Sequence, residues 1–176
     1  MIRAMEGNCL IKYPKSEIDM DYVIRELKQE EVKLLDTFLY EAIFVPEGSS
    51  APSKDIIQQP ELQVYVKNFG AAEGDLCLVA QVKNEIVGAV WTRIMNDYGH
   101  IDDETPSFAI SILKEYRNCG IGRELTKQML LTLKWNGYKQ VSLSVQKQNY
   151  AVRMYQKAGF EILRENEEEY IMCCRL

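Results

Sequence analysis

Arg117-Asn118-Cys119-Gly120-Ile121-Gly122 is the stretch whose residue types and spacing most readily do chemistry. It lies between residues 107–113, which read as a strand, and residues 122–136, which read as a helix with Leu125, Met129 and Leu133 four apart. The start of a helix leaves backbone N–H groups without intrahelical partners, and the helix dipole favours negative charge there. Glycines let a diphosphate come close to such a backbone, and an arginine adds a charge-assisted hydrogen bond. The six residues therefore suit a pyrophosphate; taken alone, they suit an unliganded tight turn equally well. Two nucleotide fingerprints do not fit. The third glycine of a G-x-G-x-x-G motif falls on Leu125, and no Gly-Lys-Ser/Thr follows.

The surrounding elements must position this stretch. Downstream, Val141, Leu143 and Val145 alternate with Ser142 and Ser144, the pattern of a strand with one apolar face. Asn149 can cap a short helix running to Ala158, Gly159 can end it, and residues 160–164 and 169–174 read as two closing strands. Upstream, a strand over residues 22–27 leads into a helical pattern with Val32, Leu35, Phe38, Leu39 and Ala42, which must stop before Pro46. A second helix is expected over residues 55–68, interrupted by Pro60. Residues 76–82 and 86–94 form a hairpin around Lys83-Asn84-Glu85, and a polar stretch, 96–106, precedes the strand that carries the motif. Residues 1–20 show no sustained period and read as an N-terminal extension to a single domain, 21–176.

Arg117-x-x-Gly120-x-Gly122, following Ala109-Ile110-Ser111-Ile112-Leu113, resembles the acyl-CoA-binding motif of the GNAT family of N-acetyltransferases. Leu143-Ser144-Val145, Asn149, Met154-Tyr155 and Ala158-Gly159-Phe160 resemble that family's later segment, in the same order. The resemblance implies an α/β (α+β) acyl-CoA N-acyltransferase fold with a mixed, mostly antiparallel sheet of about six to seven strands and about four helices. It implies acetyl-CoA as co-substrate, no metal, and transfer of acetyl to a primary amine. In such a fold the strand before the motif splays from the next one, and the pantetheine arm lies in the V. Backbone groups near Ile112 and Leu113 would hold that arm. Arg117 and the amides of Asn118, Cys119, Gly120, Ile121, Gly122 and Arg123 would take the pyrophosphate. Asn149 matches a pantetheine-binding position and equally suits a plain N-cap. Tyr155 matches a tyrosine that protonates the departing thiolate; a tyrosine on an amphipathic helix is also ordinary core.

An amine arrives mostly as ammonium, so a base must remove a proton before attack. Many relatives carry a glutamate where this chain has Ser107. Glu104 is the candidate base, with Asp103 and Asp102 beside it. His100 is better placed by chemistry than by position, and Glu41 is a further carboxylate for an acceptor pocket. Lys114, Asn118 and Cys119 also depart from the family pattern. Asn tolerates the unusual backbone angles the loop requires, while Cys119 reads as a small turn residue or as a reactive thiol beside Arg117. Without a working base the chain would be an acyl-CoA-binding sensor or interaction module.

Composition narrows the partners. The chain has 176 residues, 47% hydrophobic and 27% charged, with net charge −5. A pI near 5.1 and scattered lysines and arginines exclude a nucleic-acid surface. Apolar runs such as residues 86–91 are far shorter than a membrane span. Five cysteines without CxxC spacing and a single histidine offer no zinc site, and their odd number predicts a reduced, cytoplasmic protein. The expected partner is a small-molecule amine ahead of a protein; a homodimer through a sheet edge stays open.

Overall fold

Apolar alternation builds a seven-stranded sheet in the computed structural model, which describes residues 21–72 and 74–176; the expected extension, 1–20, lies outside the described residues. In chain order the elements are β1 (Val23–Glu26), α1 (Leu35–Ala42), α2 (Pro60–Gln63), β2 (Leu76–Val82), β3 (Glu85–Arg93), β4 (Ser107–Ile112), α3 (Ile121–Trp135), β5 (Gln140–Gln146), α4 (Ala151–Lys157), β6 (Glu161–Glu165) and β7 (Glu169–Arg175). The strands lie in the order β1-β2-β3-β4-β5-β7-β6, and every neighbouring pair is antiparallel except β4 and β5. This is the mixed, mostly antiparallel sheet the motif order implies.

Strand alternation sorts the core onto two faces. On one, Leu125, Met129 and Leu133 of α3 are fully buried against Leu78, Val90, Val141, Leu143 and Met172, and Tyr155 of α4 joins them. On the other, Leu35, Phe38 and Leu39 of α1 pack over Val79, Ala89 and Trp91. A buried leucine contributes about 2–3 kcal/mol here, so α3 is held by its apolar stripe more than by helix propensity. Cys173 and Cys174 point to opposite faces, as neighbours on a strand must; Cys174 is core and Cys173 reaches Gln140.

Two helices begin or end differently from the periodicity. Gln29–Leu34 is a 3-10 turn rather than the first turn of α1. There Glu31 accepts two hydrogen bonds from Arg25, both at 2.7 Å, and one from the Lys28 amide at 2.9 Å, which tightens the entry. The expected helix over 55–68 shrinks to a 3-10 turn, Lys54–Gln58, and the four-residue α2 that Pro60 opens. Proline has no N–H to continue the earlier turn. Beyond α2, Arg93 of β3 draws the chain away from helix by donating to the carbonyls of Val64 (3.0 Å), Lys67 (2.7 Å) and Asn68 (3.2 Å).

Candidate active site

β4 and β5 are paired at one position, Ser107 opposite Ser142, where the Ser142 amide donates to the Pro106 carbonyl at 3.0 Å. Past that pair each strand keeps only its outer partner. β4 stays zipped to β3 as far as Ile112 opposite Gly88, and β5 stays zipped to β7 as far as Gln146 opposite Glu169. The inner edges diverge into a wedge that is closed at Ser107 and opens toward the loop before α3. The Leu113 amide donates to Val87 at 2.9 Å and its carbonyl accepts from Tyr116 at 2.9 Å, so both its backbone groups are engaged within the fold. By the alternation of an antiparallel ladder, the backbone of Ile112 faces the other way, into the wedge.

At the open end the chain turns sharply. Asn118 takes φ 61° and Gly120 φ 80°, both left-handed, and Gly120 is the N-cap of α3 with no side chain capping it. The Glu124 amide donates to the Gly120 carbonyl at 3.1 Å, which leaves the amides of Ile121, Gly122 and Arg123 ahead of the first intrahelical bond. A Cβ on Gly122 would meet Met154 Sδ at 3.5 Å, an ordinary contact, so this glycine marks where α3 approaches α4. Arg117 is a brace. Its Nε donates to the Ile112 carbonyl at 2.9 Å, and Nη2 donates to the Glu41 carboxylate at 2.9 Å, tying the end of β4 to the end of α1. Cys119 Sγ contacts the Arg117 carbonyl at 3.4 Å.

Asn149 Oδ1 accepts from the Ala151 amide at 2.9 Å and so caps α4. Its Nδ2 has no protein partner among the described residues. Tyr155 is 8% exposed and stacks edge-on with Phe108 and Phe160, at 6.2 and 5.7 Å between ring centres. Burial, with a smaller contribution from Tyr150, pushes its phenol well above the usual tyrosine range, so it keeps its proton.

The carboxylates that the sequence singles out are scattered. Glu104 is exposed in the turn before β4, and its carboxylate makes no hydrogen bond or ion pair with another described side chain. Asp102 bonds into its own turn. The His100 ring meets the Met95 carbonyl at 3.0 Å and Asp103 at 3.8 Å. Glu41 is held by Arg117. The carboxylate that does lie at the closed end of the wedge is Asp97. Ser107 Oγ donates to its Oδ1 at 2.6 Å, and Tyr65 Oη donates to its Oδ2 at 2.7 Å. Burial first, and then the charge and hydrogen bond of Asp97, raise the Tyr65 phenol far above its ordinary value, with Glu169 and Tyr98 adding to the effect. Glu169 in turn accepts from Ser144 at 3.0 Å. Ser142 is fully buried, and its hydroxyl has no hydrogen-bond partner among the described residues. Sequence spacing offered little warning of this cluster: Asp97 sits inside a polar stretch that reads as loop, and Tyr65 is thirty-two residues before it.

A parallel pair that parts over the N-terminus of a helix is the arrangement the motif's resemblance implies. The Acetyltransferase (GNAT) domain family matches residues 26–172, and the chain belongs to that family. A 58-residue stretch is 38% identical to the ribosomal protein bS18-alanine N-acetyltransferase of Haemophilus influenzae, spanning 33% of this chain and 40% of that relative. Among solved structures, a GNAT-family acetyltransferase of Streptococcus pneumoniae superposes with a TM-score of 0.66 at 22% identity, covering 88% of this chain and 99% of its own. The PaiA N-acetyltransferase of Thermoplasma acidophilum in complex with coenzyme A gives 0.67 at 19%, covering 89% and 100%. The ribosomal-protein-S18-alanine N-acetyltransferase of Escherichia coli gives 0.62 at 17%, covering 88% and 93%. Among the described residues no helix is long and apolar enough to cross a membrane, and no group of three or more His, Cys, Asp or Glu could hold a metal ion.

Proposed function

We propose that this chain transfers acetyl from acetyl-CoA to a primary amine. The observation that carries the reading is the wedge between β4 and β5 opening onto the unpartnered amides that follow Gly120. Those amides suit a pyrophosphate, the Ile112 backbone suits the pantetheine arm or the thioester carbonyl, and Asn149, whose Oδ1 caps α4, keeps in Nδ2 a donor that suits a carbonyl of the arm. Arg117 contributes by framing the loop, because its guanidinium is already engaged by Ile112 and Glu41.

When bound, acetyl-CoA supplies an activated acyl carbon. Tyr155 lies on the α4 face of the sheet, against Phe108 of β4, as a neutral phenol. A thiol ionises near pH 8.5, below the Tyr155 phenol, so full proton transfer to the departing sulfur is uphill. Tyr155 acts by donating a hydrogen bond to the charge that develops on sulfur.

The acceptor reading is a small cationic amine, supported by Asp97 and Glu169 on the acceptor side of the sheet. A second reading, the α-amine of a protein, is supported by the 58-residue likeness to the Haemophilus influenzae bS18-alanine N-acetyltransferase. Calorimetric titration with acetyl-CoA, followed by thiol release against polyamines, amino sugars, amino acids and short peptides, tests the whole. Binding with amine-dependent release supports the enzyme and names its acceptor class. Binding without release from any acceptor favours an acyl-CoA sensor, and absent binding overturns the reading.

A further inference from the structure

The geometry points to Asp97 as the base that takes the acceptor's proton, in place of Glu104 and of the glutamate that Ser107 replaces. The inference rests on the acetyltransferase reading above and adds to it the residue that activates the amine.

Three observations converge. Ser107 and Phe108 are consecutive on β4, so their side chains point to opposite faces of the sheet. Phe108 packs on Tyr155, whereas Ser107, 1% exposed, donates to Asp97. Asp97 and Tyr155 therefore flank the closed end of the wedge from opposite sides. That is the arrangement an amine entering on one face and a thiolate leaving on the other require. Secondly, Asp97 is held at both oxygens, by Ser107 at 2.6 Å and by Tyr65 at 2.7 Å, yet each oxygen keeps a further acceptor site for an ammonium. Thirdly, the rival carboxylates are occupied or remote: Glu41 is paired with Arg117, and Glu104 lies exposed in the turn.

Of the titratable groups nearby, Tyr65 from the segment after α2 bonds Asp97 directly, and Tyr98 of the Asp97 loop and Glu169 of β7 act on that same Tyr65 phenol. His100 turns its ring to Met95 and Asp103 instead. Gly99 fixes the loop. A Cβ there would lie 2.9 Å from the Ser144 amide nitrogen, so only glycine lets this segment settle against β5 with Asp97 over Ser107.

An N–H bond of the ammonium breaks and its proton passes to the Asp97 carboxylate. The freed electron pair forms the N–C bond to the acetyl carbon as the C–S bond breaks with its pair on sulfur. The second nitrogen proton ends on that sulfur, and Asp97 returns its own to water, so one proton is released per acetyl transferred.

The test compares Asp97→Asn with the parent chain on two acceptors: an alkyl amine, protonated at neutral pH, and a hydrazide, whose terminal nitrogen is already neutral. Turnover with the alkyl amine should fall about 100-fold or more, with acetyl-CoA affinity unchanged, and the deficit should largely vanish with the hydrazide. Turnover within about 3-fold of the parent, or an equal loss on both acceptors, overturns the assignment. So does Glu104→Gln reproducing the selective loss while Asp97→Asn does not. Should Asp97→Asn fail to fold, Ser107→Ala keeps the carboxylate and removes its orienting donor. A loss confined to the alkyl amine then supports the inference, and unchanged turnover overturns it. Failure of the parent to bind acetyl-CoA or release thiol strikes the acetyltransferase reading itself, and is seen before any variant is compared.

Discussion

Gly120 and Tyr155 allow chemistry to be separated from stability. At φ 80° a Cβ costs about 1–2 kcal/mol, and a carboxylate among the α3 amides would repel a pyrophosphate. Gly120→Glu is therefore expected to lower the melting temperature slightly and to abolish acetyl-CoA binding, as circular dichroism and calorimetry would read. Tyr155→Phe removes a hydroxyl without a hydrogen-bond partner among the described residues, so stability should hold or rise. Turnover should drop about 10- to 100-fold with acetyl-CoA affinity kept. At this scale the turn that opens α3 was legible, because Gly120 and Gly122 declare their backbone role locally. Asp97 was not: its position depends on Tyr65, Ser107 and Gly99 meeting across three segments, and no spacing along the chain encodes that.

Among the elements, β3 does more than fill the sheet. Arg93 holds Asp75 through two bonds, at 2.7 and 2.8 Å, stacks over Phe69 at 5.3 Å and gathers three carbonyls of the segment that follows α2. Burial alone would raise the Asp75 carboxyl; the hydrogen bonds from Arg93 and from the amides of Gly70 and Ala72 outweigh it and hold the group below its ordinary range. The resulting stability is fully present above the ordinary carboxylate range and is lost as pH falls through the depressed value. Asp75→Ala, which leaves Arg93 without its buried partner, should cost about 3–5 kcal/mol at pH 7. It should also flatten the acid side of the melting temperature against pH; an acid limb as steep as the parent's would refute the pair's role. This is the physical reason the expected helix over 55–68 misled. Pro60 announced the interruption, but the arginine that pulls the rest into turns is twenty-five to twenty-nine residues away. The hairpin, α3 and the alternating β5 were readable, since each rests on its own period or turn.

For the molecule as a whole, acetyl-CoA should act as a stabiliser that touches both sides of the wedge. At a hundred times its dissociation constant a ligand adds about 2.7 kcal/mol, or about 5–10 °C in melting temperature for a chain this long. Differential scanning fluorimetry should show that shift in the parent and none in Gly120→Glu. The strand order agrees with the family resemblance, whereas the point at which β4 and β5 part is a property of their outer partners and appears only once the sheet is assembled.

That parting has a mechanical side. β1 to β4 form one hydrogen-bonded ladder, and β5, β7 and β6 form another; the backbone seam between them is a single residue pair long. The two ladders are cooperative units in their own right, and α3 and α4 clamp them from one face only. Amide exchange along the inner edge, at Ile112 and Ser144, should therefore be fast in the free protein and slow once a ligand spans the seam. A substrate bound there would take the place of a missing strand and turn two sub-globular openings into one.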